Sequence, residues 1–541
     1  MYKKISLIFL LVFTLGSSGF SQTNPFDIKI EPITISDLGG VQSFAFAQYN
    51  GKWLIVGGRL DGLHRRQPWA AFDEAGHNNH LIVVDPVLMQ KWSAPLSALP
   101  TAIREQLSAT NMNFHQEGDY LYCVGGYGYS ETLGDHTTFP NLTVISVPEV
   151  IDAVVGNTEI TPFFRQITDD IFQVTGGKLE KIYDTYYLLG GQKFIGVYNP
   201  MGPNHGPGFE QEYTNAIRRF LLNDNGVTLS ISELPTYLDS VNLHRRDYNA
   251  VPQILSNTEE GITMFSGVFQ YNEDVPFLNS VTVDSSDYIV NNDFNQYYNH
   301  YHCASLPLYA ESSKEMHTVF FGGIAQYYDN AGVLVQDNDI PFVKTIARVT
   351  RDENGNMAEY KLPIEMPSLM GTGSEFIPNK SLPHFENGVF KLDSIMTDTV
   401  MMGYIFGGIS SSAANIFWAN NGTQSTASNQ VFKVYLVKNN ETVGVHYLNE
   451  ESIRSFDFQL YPNPSTKNNG QFTVQYQLKQ IDNIQLNILN VNGQIVDSIL
   501  LESQSGMNKF TIESEELYKK GTYFISLQTK YHKARKKLIV H

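Results

Sequence analysis

Two copies of the tetrapeptide Leu-His-Arg-Arg, at residues 63–66 and 243–246, stand out in an otherwise acidic chain. The first lies in GGRLDGLHRRQPW and offers Arg59, His64, Arg65 and Arg66. The second runs on into LHRRDYN and offers Arg245, Arg246 and Asp247. A third polar cluster, NHYHCA, carries His300 and His302, and Tyr127 and Tyr129 follow a glycine pair in YLYCVGGYGYS. Guanidinium groups gathered at one place would hold a carboxylate or sulfate through paired hydrogen bonds. Tyrosine rings beside them suit the faces of a sugar. Together these residue types point to an acidic saccharide or another anionic surface ligand. The competing assignment is that the arginines pair with nearby acids such as Asp61 and Asp247 and brace their loops, and that His300 and His302 are ordinary hydrogen-bonding residues.

Other chemistries find less support. The glycine pairs do not read G-x-G-x-x-G, and the polar loop SETLGDHTTFPNLTV follows instead of a helix, which argues against a phosphate cradle. There is no CxxC or HExxH pattern. Asp337, Asn338 and Asp339 cluster oxygen donors without the spacing of a calcium loop, so a turn is expected there. No cofactor or metal is called for. Cys123 and Cys303 are read as two buried free thiols.

The elements that must position the basic residues recur along the chain. Apolar strands end on glycine in WLIVGG, LYCVGG, YYLLGG, ITMFSG, TVFFGG and GYIFGG. Successive spacings are roughly 68, 65, 76, 56 and 85 residues, so about six units are present. An apolar strand precedes each glycine pair and a hairpin follows it. In NAIRRFLLNDNGVTLSISELP and FVKTIARVTRDENGNMAEYKLP, alternating strands flank Asn-Gly, a pair that tolerates the positive φ of tight turns. Each unit is therefore expected to be a four-stranded antiparallel sheet.

These units resemble the kelch repeat over most of residues 26–447, with Ser266-Gly267 and the scarcity of outer-strand Trp (only Trp92 fits) as departures. The resemblance implies a β-propeller, with the glycines ending strands where a side chain would strike the next blade. It also implies a ligand funnel where the entry to strand one and the loop between strands two and three open together. Phe46, Phe114 and Leu179 each lie 11 residues before a glycine pair and mark strand one; Val251, Leu306 and Phe376 are placed by pattern. On that alignment Arg59, His64, Arg65, Arg66, Tyr127, Tyr129, Arg245, Arg246, Asp247, His300 and His302 face the mouth. Some kelch propellers are sugar mutarotases, but no catalytic motif transfers. Tyr301-His302 imitates part of a copper radical oxidase site, yet Cys123 lacks a partner tyrosine for the crosslink. The segment FDIKIEPITI is expected to supply the closing strand of the last blade.

With 42% hydrophobic and 12% aromatic residues over 541, the chain is globular and larger than one core. Its net charge is −18; two lysines in the N-terminal segment and a basic C-terminal region leave about −23 on the centre, which disfavours nucleic acid. Residues 1–22 read as a signal peptide: Lys3 and Lys4, an apolar core, then SSGFSQ. No later run is long and apolar enough for a transmembrane helix.

From residue 458 the texture changes to alternating strands, after a linker at 448–457. LYPNP, NVNGQIV, KGTYFISL and a terminal KKLIVH closely resemble the type A C-terminal sorting domain of type IX secretion. That resemblance implies a Bacteroidetes-type bacterium, the type IX machinery as partner, and export to the cell surface or medium. It also implies cleavage of residues 458–541 and attachment of the cargo to lipopolysaccharide or its release. The expected architecture is all-β: a six-bladed kelch-like propeller over 23–447, then a small β-sandwich. The expected function is a surface binding module for a glycan, another anionic ligand or a protein. The alternative is a secreted carbohydrate-active enzyme, mutarotase-like or lyase-like.

Overall fold

The computed structural model describes residues 24–202, 204–298, 301–438 and, of 458–540, all but 466–470, 479–481, 491–494, 514–519 and 529–532. The expected signal peptide, the linker and His300 lie outside the described residues. The chain divides into two compact units, Met1–Asn440 and Glu441–His541. Among the described residues no helix is long and apolar enough to cross a membrane.

The first unit is built of small antiparallel sheets, and six of them follow one plan. The first sheet runs Ala45–Tyr49, Lys52–Val56, His80–Asp85, Gln90–Pro95. The second runs Asn113–Glu117, Tyr120–Val124, Asn141–Ser146, Phe164–Thr168, and the third Lys178–Ile182, Thr185–Leu189, Ala216–Asp224, Leu229–Leu238. The fourth runs Asn249–Ile254, Glu260–Phe265, Ser280–Val283, Tyr288–Asn291. The fifth takes Ser305–Ala310, Glu315–Ile324, Phe342–Arg351 and Met357–Glu365, with Phe390–Lys391 added in parallel at its inner edge. The sixth takes Ser374–Pro378, Thr399–Gly407 and Val431–Lys438, and its outer strand is the N-terminal Phe26–Ile33, paired with Val431–Lys438 over its full length.

The hairpins fall where alternation and turn chemistry put them. Asn225-Gly226 and Asn354-Gly355 sit in the turns after Asp224 and Arg351, with Gly226 and Gly355 at positive φ. Two helices were not legible: α1 (Thr101–Leu107) and α2 (Val147–Gly156). The buried stripe of α2, with Val147, Val150, Ile151 and Val154, shares a core with Leu54, Val56, Leu81 and Val83 of the first sheet.

The glycine pairs sit at the joints between sheets. A Cβ on Gly125 would lie 1.9 Å from the Val174 carbonyl oxygen, at the entry to the third sheet. That same carbonyl accepts the Gly126 N–H at 3.0 Å. Equivalent bonds run from Gly58 to Ala109, Gly191 to Arg245 and Gly408 to Val41. The glycines are thus structural: the backbone of the next sheet occupies the space a side chain would need.

In each sheet one strand-one residue pairs opposite the last apolar residue before the glycines: Ala45, Asn113, Lys178, Asn249 and Glu375 in five sheets. In the fifth, Ala304 accepts the Phe321 N–H. This register corrects two anchors: beside Phe46, Phe114, Leu179 and Phe376 stand Ala250 and Ser305, not Val251 and Leu306. One residue reverses the face a strand side chain takes.

Two residues upstream of these positions lie Ser43, Asn111, Gly176, Asp247, His302 and Gly373. Their backbones form a chain of hydrogen bonds: Asn111 N–H to Ser43, Gly176 to Asn111, Asp247 to Gly176, Gly373 to His302 and Ser43 to Gly373, at 2.7–3.3 Å. The sixth sheet is thereby tied to the first. Among the described residues, only the joint between Asp247 and His302 carries no such bond.

The second unit holds a three-stranded sheet, Phe458–Tyr461, Gln471–Leu478 and Gly506–Glu513. A four-stranded sheet of Ile495–Ser503, Asp482–Leu489, Gly521–Gln528 and Lys533–Val540 packs on it. Both contribute to one core that includes Phe458, Val474, Leu486, Ile525 and Leu538.

Candidate functional site

A cavity of about 900 Å³ opens where the six strand-one entries meet. Its floor is the hydrogen-bonded set Ser43, Asn111, Gly176, Asp247, His302 and Gly373. One residue upstream in each sheet comes a second layer: Gln42, Thr110, Thr175, Arg246, Tyr301 and Thr372. Four of the sheets supply only neutral groups to these layers. The ionisable side chains come from two adjacent sheets, as Arg246-Asp247 in the fourth and Tyr301-His302 in the fifth.

Above these layers the loops after the glycine pairs build further sheets. Tyr127–Ser130, Asp135–Thr138, Gln192–Gly196 and Phe209–Tyr213 join loops of the second and third sheets into one four-stranded layer. It carries Tyr127, Phe194, Phe209 and Tyr213 into the cavity wall, and Phe72, Tyr198, Phe269, Phe417 and Trp418 complete it. Phe72 meets Tyr127 and Tyr198 edge-on at 5.3 and 5.5 Å, and Phe194 stacks on Phe209 at 4.7 Å. Apart from Tyr127, this wall was not anticipated. The alternation in QKFIGVY and GFEQEY was its only trace in sequence.

Of the residues expected at the mouth, Arg59, His64, Arg66, Tyr127, Arg246, Asp247 and His302 line the cavity. Arg59 is 2% exposed and already engaged: Nε and Nη2 donate to both oxygens of Asp61 at 2.7 and 2.5 Å, and its guanidinium lies over Phe72. The bracing role anticipated for a local acid therefore applies to Arg59. Arg66 donates to the Trp418 carbonyl at 2.7 Å and lies over that indole. The Tyr127 hydroxyl donates to the Gly196 carbonyl and accepts the Tyr198 N–H, so only its ring is offered.

Arg246 carries neither the paired carboxylate contacts that engage Arg59 nor the carbonyl that engages Arg66. Its guanidinium lies between the rings of Phe269 and Tyr213, at 5.5 and 5.8 Å, and Nε, 3.7 Å from Asp247, has no hydrogen-bond acceptor. Burial works against its charge, but Tyr213, Asp247 and Tyr198 outweigh that and hold it protonated. Burial pushes the Asp247 carboxyl up, opposed by Arg246 and His302. Burial likewise raises Tyr198, Tyr213 and Tyr301, which stay neutral hydroxyls able to donate. His64, packed 4.8 Å from Tyr198, is driven down to about 4, first by burial and then by Arg246 and Arg59, so it is a neutral imidazole at pH 7.

Beneath the floor, His302 Nε2 lies 2.7 Å from Glu375 Oε1 and 3.0 Å from Lys178 Nζ. Burial opposes the charge on Glu375, yet Lys178 and His302 hold its carboxyl below the usual range. Neither Glu375 nor Lys178 was singled out from sequence, since each reads as one polar residue at a strand start.

Three expected residues do not reach the cavity. Arg245 points the other way and is fully buried. It donates to the carbonyls of Asn242, Ser266 and Asn279 and to Asn279 Oδ1, and lies 4.0 Å over Phe277. Arg246 pairs with Val268 in an isolated bridge ahead of the strand, and its neighbour Arg245 turns to the other side of the backbone. Arg65 is exposed and covers Gly422, where a Cβ would lie 2.5 Å from Nε. Tyr129 packs edge-on against His136. The Asp337 carboxylate is spent within a turn, accepting the Asp339 N–H at 2.9 Å, and on Asn415. Cys123 and Cys303 are buried and unbridged.

Residues 459–541 match the model of the secretion system C-terminal sorting domain family. The chain carries a type IX sorting tail. It is exported by that route to the cell surface or extracellular space. No curated protein matches the chain. Among solved structures, a glycoside hydrolase family 43 arabinoxylan arabinofuranohydrolase from Bacillus subtilis is 10% identical over 93% of this chain and 95% of its own, with TM-score 0.27. PorZ, a surface component of the type IX secretion system of Porphyromonas gingivalis, is 10% identical over 92% and 80%, with TM-score 0.13. A sucrose-6-phosphate hydrolase from Lactobacillus gasseri is 8% identical over 93% and 88%, with TM-score 0.28. All three likenesses are too weak to carry over a fold or an activity.

Proposed function

We propose that this protein is a surface-displayed or released saccharide-binding module. In this reading residues 23–447 form a six-bladed kelch-like propeller, residues 1–22 are removed as a signal peptide, and 448–457 link it to the sorting domain at 458–541. Cleavage of that domain, with attachment to lipopolysaccharide or release, completes export. The observation that carries the binding role is the cavity itself: a wall of aromatic rings above one joint that holds Arg246, Asp247, Tyr301 and His302. Aromatic faces suit the C–H surfaces of pyranoses, and neutral hydroxyls, amides and one braced guanidinium suit their oxygens. With Arg59 committed to Asp61 and with Asp247, Asp274 and Asp339 also lining the cavity, the site is not a strongly basic clamp. A neutral sugar, or one with a single carboxylate placed on Arg246, fits better than a polysulfate.

The test is binding of the mature chain to an array of neutral and acidic glycans. A sugar is expected to bind, and Arg246→Ala to weaken it about tenfold or more. An array with no response removes the proposal and moves a protein partner up.

The 2.7 Å contact between His302 and Glu375 favours a second reading, a mutarotase-like or lyase-like enzyme. A carboxylate that orients an imidazole below a sugar pocket is a means of proton transfer. Anomer exchange by NMR, and absorbance of an unsaturated uronate product, would detect it; binding without either leaves the module reading alone.

A further inference from the structure

Two rings of the cavity lining are exposed to a degree that packing does not explain. Trp418 is 63% and Tyr271 60% exposed, although both border the cavity. Single exposed apolar residues are ordinary, but a pair of aromatic rings on the rim of one concave site marks an interaction surface.

Both rings are braced from beneath. The Arg66 guanidinium lies 5.3 Å from the Trp418 ring and donates to the Trp418 carbonyl, so cation and backbone fix the indole together. Tyr271 rests edge-on against His244 at 5.6 Å, and His244 stacks on Tyr213 at 3.8 Å while its Nδ1 meets Asn215 Oδ1 at 2.8 Å. A ladder of rings therefore runs from the cavity wall out to the rim. Rings held in place lose little freedom when a ligand stacks on them.

We propose that Trp418 and Tyr271 are outer stacking platforms, and that the occupant is a saccharide chain of several units rather than a monosaccharide. This rests on the saccharide reading of the cavity and deepens it. The cavity, at about 900 Å³, is several times the volume of one pyranose, and the platforms extend the aromatic surface beyond it. A protein partner would instead be expected to use a broad and flatter surface.

The experiment uses the full mature chain with xylo-, manno-, cello- and galacturono-oligosaccharides of one, two, four and six units, read by calorimetry and by tryptophan fluorescence. One series is expected to gain about tenfold or more in affinity from one unit to four, with a change in emission. Trp418→Ala and Tyr271→Ala, both at exposed rings, should each remove about three- to ten-fold of that gain with the thermal midpoint unchanged. Equal affinity for one and six units overturns the platforms and leaves the saccharide site standing. A length gain that survives both variants overturns them as well. Failure of every saccharide to bind removes the underlying reading and this inference with it.

Discussion

Lys178 of the third sheet meets Glu375 of the sixth, Nζ to Oε1 at 3.6 Å. Both occupy the same register position at the start of strand one, so the ion pair spans the meeting point of the sheets beneath the cavity floor. His302 of the fifth sheet joins it. The pair is a structural device first: it fastens two sheets far apart in sequence through groups that are both largely buried.

Glu375→Ala should destabilise the chain by about 3–5 kcal/mol at pH 7, because it leaves the Lys178 ammonium buried without its partner. The carboxyl is held below its ordinary pKa, so its contribution is present above the unfolded value and is lost as pH falls through the folded one. Urea unfolding should therefore show a gap between wild type and variant that narrows in acid, below about pH 4.5. A gap unchanged from pH 7 to pH 3 would contradict the ion pair.

His64 and His77 are pushed down to about 4 and about 3, in each case chiefly by burial and further by Arg59. Their folded pKa values lie below the unfolded one, so the unfolded chain takes up protons first. Stability should fall as pH drops from about 6.5, with His64 alone accounting for up to about 3 kcal/mol by pH 4. His64→Gln should flatten that slope between pH 6.5 and 4 in denaturant titrations.

Gly125→Ala should cost several kcal/mol, or prevent folding. The residue has φ of 65°, and the new Cβ would meet the Val174 carbonyl at 1.9 Å. Gly208→Ala is the control, with open space around it and no positive φ; it should shift stability by less than about 1 kcal/mol. Melting temperatures of the two variants decide whether the glycine pairs are structural.

Arg245→Ala and Arg246→Ala should separate cleanly. The first removes four hydrogen bonds of a fully buried guanidinium and should lower stability by about 3–5 kcal/mol. The second should act mainly on saccharide affinity, with the larger part of the fold's stability retained. Equal melting losses in both would refute the assignment of Arg246 to the cavity.

Much of the frame was legible because its signals are local. Apolar runs ending on glycine, Asn-Gly turns and the ordered motifs of the sorting tail each state their physics within a few residues. Seven of the expected site residues line the cavity, and three of them, Arg66, Tyr127 and His302, sit close to recognisable strand ends or strand starts. The loops were harder. The strands that carry Phe194 and Tyr213 into the wall pair across separate units, and α2 leaves its own sheet to cover the first.

By itself the sequence determined the all-β repeat, the place of the glycine pairs, the terminal strand Phe26–Ile33 and the export route. Tertiary structure alone decided which of Arg245 and Arg246 faces the cavity, and that Lys178 reaches Glu375. The reason is one of scale. Strand propensity and turn chemistry act between neighbours, whereas strand facing flips with a single residue of register, and that register is set by contacts with sheets scores of residues away.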